Sequence, residues 1–251
     1  WDGGARAGLA AAGSRAGGAA PNRRCAVLAE AGWESLDRGY DDWSLLALRA
    51  HGDVSANVEA RGSLARMGRF GTSDVEATAG LSWQAAPRFG IGADLALVAD
   101  ADFLPRWSGQ LLALARLGDS THLQGGYRHS RYPGTRSDTL WLTLERYLAC
   151  CRLAYSVYRG DPADASTTYT HVLRADFYYD ERSYAGLQLT TGRESESDGA
   201  GGLLVSDVEG AALVGRHQLS PRWALAWAVT WHEQGDLYRR AGFNVGLARS
   251  F

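Results

Sequence analysis

The sequence contains no lysine; every one of its 26 basic side chains is arginine. Against 28 acidic residues this leaves a formal net charge of −2, too small to argue for a nucleic-acid ligand. The uniform arginine reads first as a bias of the coding genome. Long hydrophobic runs are missing too, and none approaches the roughly 18–20 apolar residues that a membrane helix needs. Cysteine is scarce. Cys25, Cys150 and Cys151 cannot all pair within one molecule, and no CxxC spacing offers a zinc site. Free thiols are expected, with a strained vicinal bridge at Cys150–Cys151 as the alternative. No signal peptide is visible, and the chain starts at Trp1 without methionine, which fits a leader already removed.

What the sequence has is a beat of two. In "VSANVEARGSL", Val54, Ala56, Val58, Ala60 and Leu64 alternate with Ser55, Asn57, Glu59, Arg61 and Ser63. In "DVEATAGLSWQ", Val75, Ala77, Ala79, Leu81 and Trp83 alternate with Asp74, Glu76, Thr78, Ser82 and Gln84. The final segment "AGFNVGLARSF" puts Ala241, Phe243, Val245, Leu247 and Phe251 on one parity, broken only by Arg249. Period two means strands with two unlike faces, one apolar and one carrying charges of both signs. A 251-residue chain suffices for one large all-β domain.

Fourteen such segments are predicted, at about residues 25–36, 43–51, 54–66, 73–84, 88–100, 106–117, 121–132, 138–149, 151–159, 168–179, 182–194, 204–218, 222–233 and 239–251. Poor alternation near residues 45–50 and 110–116 leaves twelve or sixteen as fallbacks. The connections alternate between long ("LDRGYDD", "MGRFGTS", "ADADFLP", "YPGTRS", "GDPADAST", "ESESDGAGG", "EQGDLY") and short ("HGD", "AAPR", "GDS", "DER", "LSPR", and a tight turn at Ala149–Cys151). Outer-membrane barrels have short periplasmic turns and longer extracellular loops, and an even strand number. Aromatics fall into two expected girdles. Trp33, Trp43, Trp107 and Trp231 lie toward the outer rim; Trp83, Phe89, Phe177, Tyr179, Trp223 and Phe251 lie toward the inner one. The expected fold is all-β, a single antiparallel transmembrane β-barrel in the Gram-negative outer membrane, as a monomer. Residues 1–24, rich in Ala and Gly, are expected as a flexible tail, a tether or a plug.

Several longer motifs carry a resemblance: "YDDWS" at 40–44, "RFGTSD" at 69–74, "ADFLPRWS" at 101–108, "GYRHSRY" at 126–132, "LERY" at 144–147 and "WHEQGDLYRRAG" at 231–242. Together they resemble the YaiO-type outer-membrane β-barrel family, over about residues 25–251. The resemblance implies an association with surface-polysaccharide systems, and hence glycan-export proteins as partners. It supplies no catalytic residues. Phe251 resembles the signal by which the barrel assembly machinery recognises its substrates.

Parity places Asp74, Asp100, Arg128, Ser130, Tyr132 and His232 on the lumen face near the extracellular rim, where they are candidates for binding. Deeper come Glu59, Arg61, Glu76, Asp94, Arg116, Glu145, Arg152, Arg174 and Asp176. Such mixed charges either pair and close the lumen, or line a polar path or sugar site. Arg131, Arg159 and Arg193 have outward parity near the same rim. Arginine's planar fork suits phosphate, so they are expected to contact lipopolysaccharide in the surrounding lipid.

Enzymatic motifs are weak. "GDSTH" at 118–122 sits along one tight turn, which does not make a triad's geometry, and neither GxSxG nor HExxH occurs. His129 and Ser130 point to opposite faces of one strand. His232 with Asp74 or Asp100 could form a general-base pair. The acidic "ESESDG" matches no calcium-loop spacing and reads as a solvated charge run. A non-enzymatic barrel without cofactor or metal is the expectation, and an outer-membrane hydrolase of lipid or glycan is the alternative.

Overall fold

The computed structural model describes residues 25–197 and 203–251. Fourteen strands follow in chain order: β1 (Cys25–Leu36), β2 (Trp43–Asp53), β3 (Val58–Arg69), β4 (Thr72–Ala86), β5 (Phe89–Ala99), β6 (Trp107–Arg116), β7 (Thr121–Arg131), β8 (Arg136–Tyr147), β9 (Cys151–Pro162), β10 (Thr168–Tyr178), β11 (Tyr184–Ser197), β12 (Leu203–Gln218), β13 (Trp223–Gln234) and β14 (Tyr238–Ser250). Each pairs antiparallel with its sequence neighbours, and β14 returns to β1 in continuous register from Ala26↔Ser250 to Leu36↔Arg240. The barrel is therefore closed, with the strand number expected from the alternation. Closure gives every strand two ladder partners, which is what allows strands to cross hydrocarbon. Residues 1–24, expected as tail, tether or plug, lie outside the described residues, as does part of the "ESESDG" run.

The apolar parity faces outward. Leu46, Leu48, Leu64, Leu81, Leu95, Leu97, Leu111, Leu140, Leu142 and Leu144 are all exposed. So continuous an apolar belt would be an aggregation surface in water, and in lipid it is solvated. Trp33, Trp107 and Trp231 are exposed toward one rim, and Trp83, Phe89, Phe177, Tyr179, Trp223 and Phe251 toward the other. The longest connection, between Ala99 and Trp107, lies at the end opposite Cys25 and Ser250, which is therefore the extracellular end.

Three expectations need correction. Trp43 does not join the outer girdle; it is 4% exposed and faces the lumen, directly across the ladder from Glu34. In β2, Leu45, Leu46, Ala47 and Leu48 put apolar side chains on both faces, so the parity was ambiguous, and a one-residue slip exchanges the faces. "MGRFGTS" is not a long loop. β3 and β4 leave only Phe70 and Gly71 between them, at φ 51° and 78°, the two left-handed centres of a type I′ hairpin turn. "EQGDLY" likewise shortens to Gly235–Leu237.

Burial inside the barrel is local. One cluster joins Ala47, Ala65, Met67 and Val98 to Phe103 and Leu104 of the β5–β6 loop. A second joins Leu36, Trp43 and Tyr238, with Phe70 and Leu237 packed against it. Both lie at the extracellular mouth.

Candidate functional site

The mouth is narrowed first by the β5–β6 loop. Asp74 begins the lumen face of β4 and is 1% exposed. Its carboxylate accepts backbone N–H groups of Asp102 (3.0 Å), Phe103 (3.1 Å) and Leu104 (2.7 Å). Three donors on one carboxylate satisfy loop amides that burial would otherwise leave unpaired. The loop thereby turns Phe103 and Leu104 into the lumen wall instead of out to solvent.

From the other side comes a ribbon. β11 and β12 pair up to Ser197↔Leu203, whereas β11's ladder to β10 ends at Gly192 and β12's ladder to β13 ends at Val208. Residues Arg193–Ser197 and Leu203–Asp207 therefore project as a two-stranded extension. Gly192, at φ 138°, marks its base. Glu196 on this ribbon meets Arg69 of β3 at 3.4 Å and accepts a hydrogen bond from the Tyr238 hydroxyl.

Beneath that bridge lies an aromatic cluster. The Trp43 ring packs edge-on against Phe70 (5.5 Å) and Tyr238 (5.8 Å), and Tyr40 against both of those (5.7 Å each). The guanidinium groups of Arg69 and Arg240 lie 4.2 and 4.4 Å from the Trp43 ring centre, in cation–π range. Arg240 also binds Glu34 (2.7 Å), which accepts from Thr230. Two donors here are buried without an acceptor among the described residues: Trp43 Nε1 and Arg240 Nε. Unsatisfied buried donors are uncommon, and they mark places where a ligand or water completes the structure.

Deeper in the lumen, charges pair along the wall. Arg61 forks onto Asp94 (2.6 and 2.8 Å), Gln110 donates to Asp94 (3.4 Å), and Arg128 donates to Gln110 (3.0 and 2.7 Å). Near the periplasmic end Arg152 binds Asp176 (2.6 Å) and Glu145 (3.3 Å), and Arg174 binds Asp176 (2.9 Å). Both aspartate hubs stand opposite a glycine, Gly80 for Asp94 and Gly186 for Asp176, at which a Cβ would overlap the carboxylate oxygen. No group of three or more metal-ligating side chains occurs among the described residues.

The YaiO membrane beta barrel domain matches residues 25–197 of the sequence. The chain belongs to the YaiO membrane β-barrel family. β12, β13 and β14 lie beyond the matched residues, yet they complete the same ring. Among curated proteins none matches the sequence. Solved structures share the architecture at low identity. The Ralstonia pickettii toluene transporter TbuX aligns at TM-score 0.60 and 8% identity, over 91% of this chain and 88% of its own. The CymD monoaromatic hydrocarbon channel aligns at 0.59 and 10%, over the same shares. The translocator domain of autotransporter NalP from Neisseria meningitidis aligns at 0.50 and 10%, over 90% and 88%. At such identity the likeness shows the fold. The YaiO-type barrel is a protein of the Gram-negative outer membrane.

Within this barrel, four of the six motifs that carry the family resemblance meet at the mouth. "YDDWS" supplies Tyr40 and Trp43, "RFGTSD" supplies Arg69, Phe70 and Asp74, and "ADFLPRWS" supplies Phe103 and Leu104. "WHEQGDLYRRAG" adds Tyr238 and Arg240. The individually expected site residues are more scattered. Asp74 is the loop anchor. Asp100 lies just past the end of β5 at Ala99, exposed in the β5–β6 loop at φ 52°. Arg128 and Ser130 face the lumen from β7, and Tyr132 opens the β7–β8 turn, its N–H donating to Thr135 O. His232 is buried in β13, with Nε2 2.7 Å from Gln234 Oε1. Sequence reasoning missed Trp43, Arg69, Glu196, Tyr238 and Arg240. Trp43 lost its face to the ambiguous β2 pattern, and the others meet only through ring closure and the ribbon.

Proposed function

We propose that this protein is a non-enzymatic outer-membrane barrel that binds surface polysaccharide at its extracellular mouth, as an accessory to glycan export or anchoring. The observation that carries this reading is the pair of unsatisfied donors, Trp43 Nε1 and Arg240 Nε, beneath the Arg69–Glu196 bridge. Aromatic faces next to hydroxyl- and carboxylate-seeking donors are the chemistry that sugars, and acidic sugars above all, recognise. Tyr40, 43% exposed at the top of the cluster, offers the first ring to an arriving chain. The ribbon and the β5–β6 loop hold the site covered, and the polar wall below keeps the lumen hydrated. Against a hydrolase built on His232 and Asp74 stands the commitment of Asp74 to three loop amides.

The test is conductance in planar bilayers together with oligosaccharide binding, on the wild type and on Asp74→Ala/Glu196→Gln. Low wild-type conductance that rises in the double variant, with glycan affinity lost on Trp43→Phe, is the expected result. Steady wild-type conductance with no glycan affinity would make the protein a simple channel. Hydrolysis of lipid or glycan abolished by His232→Ala would make it an enzyme.

A further inference from the structure

Among the three outward arginines expected to contact lipopolysaccharide, the structure separates one from the others. Arg159 is paired with Asp161 at 3.0 Å, and Arg193 with Asp207 at 3.4 Å. Arg131 has no ion pair among the described residues. It stands directly opposite Arg136 across the β7–β8 ladder, both exposed on the outer face at the last paired position before the extracellular turn. Like charges set opposite each other in a sheet repel. The nearest outward carboxylate, Asp138, is engaged by the Tyr127 hydroxyl and by His129 Nδ1 at 2.8 Å. On the other flank Arg131 is opposite Trp107, an exposed ring of the outer girdle that also packs 5.1 Å from His129.

We propose that Arg131 and Arg136 form a clamp for a phosphate group of outer-leaflet lipopolysaccharide. Two guanidinium forks facing one another leave a gap that a doubly charged phosphate fills, which turns the repulsion of the pair into attraction for the anion. The height is that of the lipid headgroups, because Trp107 marks the interface on the neighbouring strand and the turn begins immediately above. Asp138, two residues along β8 from Arg136, is hydrogen-bonded by Tyr127 and His129, and Asp161 opposite it is paired with Arg159, so neither closes an ion pair with Arg131 or Arg136 among the described residues.

The experiment measures binding of the detergent-folded full chain to lipid nanodiscs carrying bisphosphorylated lipopolysaccharide, its monophosphorylated form, or none, with inorganic phosphate as a further probe. Arg131→Gln/Arg136→Gln is compared with Arg159→Gln, and heat-modifiable gel migration confirms that each variant is folded. Affinity for the bisphosphorylated lipid is expected to fall about tenfold in the double variant, the size of losing two exposed charge-assisted contacts. It should fall less than twofold in Arg159→Gln. Unchanged lipid binding by the folded double variant overturns the clamp. Equal losses in Arg159→Gln and the double variant overturn it as well, because they point to diffuse charge. Saturation by inorganic phosphate alone, with no preference among the lipids, overturns the lipid as its source.

Discussion

Arg69 and Glu196 form an ion pair although β2, β1, β14, β13 and β12 stand between their strands on the shorter way round the ring. Most other lumen pairs join strands that are neighbours or one strand apart, and so reinforce a wall. This one crosses the opening. It is possible because Glu196 sits on a ribbon free of lateral ladders, whose path over the mouth is set by its own contacts.

Removing the carboxylate should therefore loosen the ribbon and leave the barrel intact. Glu196→Gln is expected to cost about 1 kcal/mol or less in global stability, the usual worth of a partly exposed pair. Amide exchange at residues 193–197 and 203–207 should accelerate, with β3 unaffected. Exchange rates equal to wild type would mean that the Arg69 contact does not hold the ribbon.

Asp74 should be far less tolerant. Asp74→Ala strips three loop amides of their acceptor, and the two buried ones, of Phe103 and Leu104, are each left unpaired at a cost of about 1–3 kcal/mol unless water enters. The β5–β6 loop is expected to swing out and become cleavable by protease between Ala101 and Pro105. Asp74→Asn, which keeps one acceptor oxygen, should fall between wild type and Asp74→Ala in protease resistance. An uncleaved loop in Asp74→Ala would show that packing of Phe103 and Leu104 alone retains it.

The glycines opposite the aspartate hubs give a third test. Gly186→Ala would drive a Cβ into the carboxylate that holds both Arg152 and Arg174, and displacing a buried partner of this kind costs about 3–5 kcal/mol. Gly80→Ala should have a smaller effect, since the Arg61–Asp94 pair is more exposed. Gly118→Ala, where nothing lies within 4 Å, should leave thermal stability unchanged. Equal melting temperatures for all three would rule out a structural role for the hubs.

Cysteine labelling supplies a fourth. Cys25 opens β1, while Cys150 and Cys151 lie at the β8–β9 turn across the ring, and all three are free. Disulfides tolerate Cα separations of roughly 7 Å at most, so mass spectrometry should find no intrachain cross-link to Cys25. Cys150 and Cys151, with sulfurs 3.2 Å apart, should compete for one bulky maleimide.

Most of the barrel was legible because lipid imposes a strict rule. Each strand must show apolar side chains on one face, and β4, β13 and β14 do so plainly enough to be counted by eye. Legibility failed where the rule relaxes. β2 carries leucine on both faces, so Trp43 could be set in either direction. The Phe70–Gly71 turn was hidden among polar neighbours that resemble a loop. The mouth itself was half visible: its motifs stood out as unusual strings, but strand parity cannot show that "RFGTSD" reaches a ribbon on the far side. Asp74 was recognised as facing inward, whereas its partners are backbone amides, which have no signature in the sequence.

The seam between β1 and β14 has a kinetic consequence. Arg240 and Glu34, paired at 2.7 Å, are 206 residues apart in the chain, and the same ladder runs the length of both strands. Until that ladder zips, the nascent sheet has two bare margins, each able to bond to any passing strand. Ring closure must therefore come last and carry the largest entropic cost of any single pairing. Every hairpin can form early from local contacts, yet none is secure until the two ends of the sheet find each other.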